Sequence, residues 1–234
     1  MARVQGVKEK LHSPLYDAFF VPGVAGGSPA RKFSDVMTDP RAIRFFVDVQ
    51  NKTRLETNLQ AAGVLPSLNN FEARALRVVV SNPPCLIDPA AILDAGNKFC
   101  AGYENKAKDA GVEFVEEIQE LCTQSCAQVS SIVAELIYNS VTTLLVGEKT
   151  MIEMPTYYFP AGAGVSPGNG SFINHGEPDP MATFRFSEPV VIEPQQNFRV
   201  EIVFPRDVPR TVADAIGPLR IWVVLDGYLT RDVQ

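Results

Sequence analysis

Alternation of apolar and polar side chains with a period of two recurs along this chain and restricts its fold more than any other feature. In Ile43-Arg44-Phe45-Phe46-Val47-Asp48-Val49-Gln50, positions 43, 45, 47 and 49 are apolar, while 44, 48 and 50 are polar. Successive side chains of a strand point to opposite faces, so this segment predicts a strand with one buried face. Leu76, Val78 and Val80 repeat the pattern with Arg77 opposite, after an irregular link from Thr57 to Phe71. Val141 to Val146 and Thr150 to Phe159, the latter broken by Pro155, add two candidates. Phe184 and Phe186 flank Arg185, a Ser187-Glu188-Pro189 break follows, and Val190 and Ile192 resume the pattern. Phe198, Val200, Ile202 and Phe204 alternate with Arg199 and Glu201. Leu219, Ile221, Val223 and Leu225 then face one way, with Arg220 and Asp226 facing the other. The pair Asp226-Gly227 has the composition of a tight turn.

The count is about eight strands. A strand that buries one face needs a second sheet to cover it, and eight strands in two sheets is the jelly-roll number. A parallel α/β fold would need helices between most strands, and one region alone supplies them. That region is residues 85–137. Asp88 before Pro89 is a helix start, and Val112, Val115, Ile118, Cys122, Cys126, Val129 and Val133 recur at three- and four-residue steps. Glu113, Glu116, Glu117 and Glu120 fall between them and form a solvated helix face.

Residues 1–40 read as an extended N-terminal arm. Pro14, Pro22, Pro29 and Pro40 punctuate it, and the run from Gly23 to Pro29 suits neither helix nor strand. Leu15, Tyr16, Phe19, Phe20 and Phe33 within it predict packing on the body or on a neighbouring subunit. Residues 41–234 are then one all-β, eight-stranded jelly-roll domain with the helical insertion at 85–137. A loop with five Gly and three Pro spans Ala161 to Pro180.

With 46% hydrophobic and 21% charged residues, the chain can bury a sizeable core. Its net charge of −6 argues against a phosphate backbone as the main partner. Up to Arg44 there are seven Lys or Arg against four Asp or Glu, far short of a nucleic-acid-binding arm. No apolar run is long enough for a transmembrane helix, and the polar start from Met1 to Lys10 has no signal-peptide core. Synthesis in a cytoplasm is expected.

Motifs that carry chemistry are mostly absent from the sequence. The sequence contains no nucleophile elbow, zinc-protease motif, Walker A loop or dinucleotide fingerprint. Of the four cysteines, Cys85, Cys100, Cys122 and Cys126, the last two share a helix face, but a zinc site wants two further Cys or His nearby, and the only histidines, His12 and His175, have no spacing relation to that pair. Buried thiols are the expectation, and no metal or cofactor is expected. Gly162, Gly164, Gly168 and Gly170 lack the Lys-Ser/Thr that follows in a phosphate-binding loop. His175 near Glu177 and Asp179 has the residue types of a general base, yet two histidines exclude a cupin-type metal site. Trp222 sits opposite Ile221 and Val223 on its strand, where an aromatic serves a subunit contact or stacks on a sugar. Catalytic residues are expected to be absent.

The strand Ile43 to Val49, the connection Thr57 to Pro66, the strand Arg74 to Val80, and the tail segments Phe184 to Ile192, Pro194 to Ile202 and Leu219 to Arg231 carry a resemblance. Their order and spacing resemble the single jelly-roll major capsid proteins of icosahedral bacterial viruses that have upright barrels around an internal membrane. The resemblance runs from about residue 41 to the end and rests on strand order, with no single specific motif. It implies a non-enzymatic virion protein without a cofactor. Such a subunit assembles with itself or with other capsid proteins through its barrel sides and loops. Strongly basic arms occur in many small-virus shells and this arm departs from that pattern, which argues against strong nucleic-acid binding and for an internal membrane or other proteins as the inner neighbour. The alternative is a carbohydrate-binding or attachment module that uses Trp222, Tyr157 or Tyr158 as stacking platforms.

Overall fold

Two antiparallel sheets stack around one apolar core in the computed structural model, which describes residues 8–23, 31–81, 131–162 and 179–232. The expectations placed on 82–130 and 163–178 lie outside the described residues. These include the helix start at Asp88, the glutamate face, all four cysteines, His175 and Glu177. In chain order the elements are β1 (Lys8–His12), β2 (Leu15–Val21), α1 (Phe33–Val36), β3 (Ala42–Phe45) and β4 (Asn70–Val80). Then come α2 (131–138), β5 (Val141–Val146), β6 (Lys149–Pro155), β7 (Phe184–Ile192), β8 (Phe198–Val203), α3 (Arg210–Ala213) and β9 (Leu219–Asp232).

One sheet has the order β1–β9–β4–β7, with β2 also paired to β9; the other has the order β3–β8–β5–β6. The fold class is therefore an all-β sandwich. Its core follows from the alternation: Ile221, Val223 and Leu225 of β9 and Leu76 of β4 face Ile43 and Phe45 of β3, Leu144 of β5, and Val200 and Ile202 of β8, all buried. Each such side chain contributes about 1.5–3 kcal/mol relative to exposure. The helix α2 adds Leu136, fully buried, with Ile132 one turn earlier packed against the same core. It is the described end of the expected helical insertion.

Several local expectations need correction. Residues 8–21 pack on their own body, one of the two expected alternatives, but as sheet strands and not as an extended arm. β1 and β2 lie along β9 in a single register, His12 opposite Tyr228 and Leu15 opposite Leu225. Pro14, which has no N–H to give to the ladder, separates them. Leu15, Ala18, Val21 and Phe33 are buried in the body, and the Phe33 N–H donates to Ala215 O at 2.9 Å. The body therefore begins at or before Lys8, not at residue 41.

The strand expected from Ile43 to Gln50 stops at Phe45. Phe46 takes a positive φ of 68°, and its N–H donates to the Asp17 carboxylate at 2.6 Å. That turn keeps Phe46 buried against Phe198 and leaves Val47 exposed, so the apolar alternation outruns the strand. The segments around Arg185 and Val190 are joined in one strand, β7, with an irregularity at the expected break.

Asp226-Gly227 is not a turn, because β9 runs straight through it to Asp232. Gly227 sits opposite Ala73, where a Cβ would lie 2.1 Å from Glu72 O and 2.8 Å from the Phe71 ring. The residue serves close approach of two backbones, not chain reversal. Gly227→Ala should therefore force β4 and β9 apart and cost about 1–3 kcal/mol, by analogy with overpacked cores. Urea unfolding measures this; an unchanged midpoint would show that the strands separate there without cost.

Candidate interaction surfaces

The outer face of the larger sheet is interrupted where β4 bulges. Between Ala73 and Ala75 the register of β4 shifts against both neighbours at once, toward β9 by one residue and toward β7 across Phe186 to Pro189. A bulge leaves extra residues unpaired and bends the strand. Here the two irregularities coincide beneath a groove of about 620 Å³, lined by Arg74, Ala75, Phe186, Ser187, Asp226 and Gly227 among others.

The charged groups of this groove are organised by cross-strand pairing. Arg77 donates from Nε and Nη2 to the two oxygens of Asp226 at 2.6 and 2.9 Å, a bidentate pair between β4 and β9. Its Nη1 reaches Ala161 O at 3.3 Å. Gly162, with φ of 81°, lies so close to this guanidinium that a Cβ would stand 2.7 Å from Arg77 Cδ. Only glycine lets the backbone rest there. Arg74 uses Nε and Nη2 on Glu72 Oε1, two residues away on the same face, and Lys10 bonds the other oxygen at 2.6 Å. Hydrogen bonds from Lys10 and then Arg74 hold the Glu72 carboxyl below its ordinary value. Both cations also lie over the Tyr228 ring, 4.8 and 4.9 Å from its centroid. Exposed Arg185, opposite Ala75, lines the groove from β7.

A second surface lies at the end of β6. After Pro155 the chain makes one 3-10 turn, Thr156–Tyr158, anchored by the hydroxyls of Ser140, Thr142 and Thr156 in a buried chain of 2.7 and 2.9 Å contacts. This turn presents Tyr157 and Tyr158 stacked at 4.9 Å, with Tyr138 from the end of α2 at 5.9 Å from Tyr157. The three are 71%, 49% and 48% exposed for Tyr138, Tyr157 and Tyr158, so the stack is open to solvent. Tyrosine is enriched at recognition surfaces because it offers area with few rotamers.

The residues singled out in the sequence divide accordingly. Trp222 lies on the outer face as expected, but its indole N–H donates to Leu55 O at 3.0 Å, which ties it to the 53–57 loop. Tyr157 and Tyr158 come together and gain Tyr138. His12 lines the groove beside Tyr228, with ring centroids 5.6 Å apart. Asp179 also borders the groove, and its Oδ1 accepts the Met181 N–H at 2.8 Å. Nothing in the sequence marks Arg74, Arg77, Arg185 and Tyr228 as neighbours in one groove. The one available signal was the proline-containing break inside an alternating strand, which marks a bulge. Among the described residues, no three His, Cys, Asp or Glu side chains converge as metal ligands. No described helix is long and apolar enough to cross a membrane. No protein-family model, curated protein or solved structure matches this chain.

Proposed function

We propose that this chain is a jelly-roll capsid subunit that assembles, alone or with other shell proteins, into the shell of a virion. Strand order is the observation that carries the reading. With β1 and β2 counted as one edge strand in one register, the two sheets run first-eighth-third-sixth and second-seventh-fourth-fifth. Successive strands cross between the sheets, save for the β5–β6 hairpin. That wiring supports the double Greek key of a jelly roll, an architecture used by viral shells, lectins and cupins. Fold alone does not confer function, so the surface has to choose among these.

The surface favours a contact protein. Tyr138, Tyr157 and Tyr158 form an aromatic patch at one end of the sandwich, beside the edge strand β6. In a shell, such a patch is covered by the next subunit. The modest charge of the N-terminal segment favours a protein or lipid inner neighbour, such as an internal membrane, over nucleic acid.

A second reading has the same tyrosines as its support: an open aromatic stack is also a platform for a sugar, as in an attachment module. One experiment separates the two. Mass in solution is measured across a concentration range, with electron microscopy of the same sample, for the parent and for Tyr157→Ser/Tyr158→Ser. Concentration-dependent oligomers or shells that weaken at least about tenfold in the variant support the subunit contact. A parent that stays monomeric alone and with candidate shell proteins or vesicles, yet binds neutral oligosaccharides through these tyrosines, would replace it with the attachment reading.

A further inference from the structure

We propose that the groove over the β4 bulge is a binding site for a compact oxyanion, the carboxylate of an acidic sugar or a phosphoryl group. The inference does not depend on the shell reading, because it rests on a different face of the molecule. Among the described residues, three guanidinium groups line the groove, Arg74 and Arg77 from β4 and Arg185 from β7, against the carboxylates of Asp226 and Asp179. Both carboxylates are already engaged by the protein. Asp226 gives its two oxygens to Arg77, and Asp179 holds the Met181 N–H. Among the described residues, Lys10, Arg74, Arg77 and Arg185 stand against Glu72, Asp179 and Asp226, a surplus of one positive charge on a chain whose net charge is −6.

The cations are also held in place. Arg77 is fixed by Asp226 on one side and by the Ala161 carbonyl and Gly162 backbone on the other, so it forms a rigid floor. Arg74 is oriented by Glu72 through Nε and Nη2, and Nη1 takes no part in that pair. A planar guanidinium fork matches an oxyanion better than a single ammonium does. Thr183 and Ser187 add neutral hydroxyls to the wall. A volume of about 620 Å³ is in the range of small-molecule sites, large enough for a sugar acid or a nucleotide-sized group. The bulge explains why the depression exists at all, since a regular ladder would present a flat face there.

The test is calorimetric titration of the full chain at low ionic strength with sodium glucuronate, with inorganic phosphate, and with glucose as the neutral control. The same titrations are run on Arg74→Gln/Arg185→Gln and on Arg199→Gln, which changes an arginine of the other sheet. Circular dichroism confirms that each variant is folded. Saturable binding of either anion, none of glucose, and at least about tenfold weakening in the double variant alone is the expected result. Preference for glucuronate identifies a sugar acid as the source, and preference for phosphate a phosphoryl group. No saturable binding of either anion overturns the proposal. So does binding that the double variant leaves intact or that Arg199→Gln weakens equally.

Discussion

Deleting residues 1–40 is expected to abolish the cooperative unfolding transition, not to yield a folded body that assembles less well. The segment carries the whole β1–β2 edge and the buried side chains Leu15, Val21 and Phe33. At about 1.5–3 kcal/mol for each large apolar side chain, their burial amounts to roughly 5–9 kcal/mol. A domain has only about 5–15 kcal/mol in total. The deletion also strips β9 of its partner on one side, at Leu219–Leu225 and Tyr228–Asp232, which exposes a long apolar edge to pairing with other chains. Thermal or urea unfolding followed by circular dichroism decides the matter. A truncated chain with a sharp transition near that of the parent would return residues 1–40 to the status of an arm, and assembly could then be tested on it directly.

That segment also shows where sequence periodicity stops being informative. β5 was legible to its boundaries, and β8 nearly so, because each buries one face and shows polar or half-buried residues on the other. β2 hides the signal. Leu-Tyr-Asp-Ala-Phe-Phe-Val places a carboxylate on the buried side at Asp17, while Tyr16 and Phe20 on the other side are aromatic and Ala18 between them is buried as well. With prolines at 14 and 22 as flanks, nothing alternates, and a strand reads as an arm. β3 misleads in the opposite direction. Its apolar alternation continues to Val49, but Phe46 turns away to meet Asp17, an interaction 29 residues distant in sequence. Gly227 is a third case, where residue type suggests a turn and the actual constraint is backbone approach from β4. The groove was the least legible part. Its arginines come from strands far apart in sequence, and only register against two neighbours at once reveals the bulge that gathers them.

Replacing Asp17 by alanine is expected to cost about 3–5 kcal/mol, the range for removing one partner of a buried ion pair. Asp17 is fully buried on β2, accepts the Phe46 N–H at 2.6 Å and receives Lys52 Nζ on both oxygens at 2.8 and 2.9 Å. These bonds fasten the 46–57 segment over the β2 edge, so the alanine variant leaves a buried N–H and an ammonium without acceptors. Asp17→Asn keeps an oxygen for Phe46 and should lose less. The effect has a direction with pH. Burial is the largest influence on this carboxyl and raises its pKa above the ordinary 3.8, ahead of the lowering by Lys52 and by the Phe46 N–H. The folded protein therefore takes up this proton at a pH where the unfolded chain has already released it. The stabilisation from Asp17 is greatest below pH 3.8 and declines as pH rises through the raised folded value. Glu72, whose pKa is lowered, behaves the other way and loses its contribution as pH falls through its folded value. The alanine penalty measured by urea unfolding should thus be larger near about pH 4 than at neutrality. A penalty under about 1 kcal/mol would mean that water replaces the carboxylate at Phe46 and Lys52. A penalty that shrinks toward acid would mean that attraction to Lys52, and not burial, governs this carboxyl.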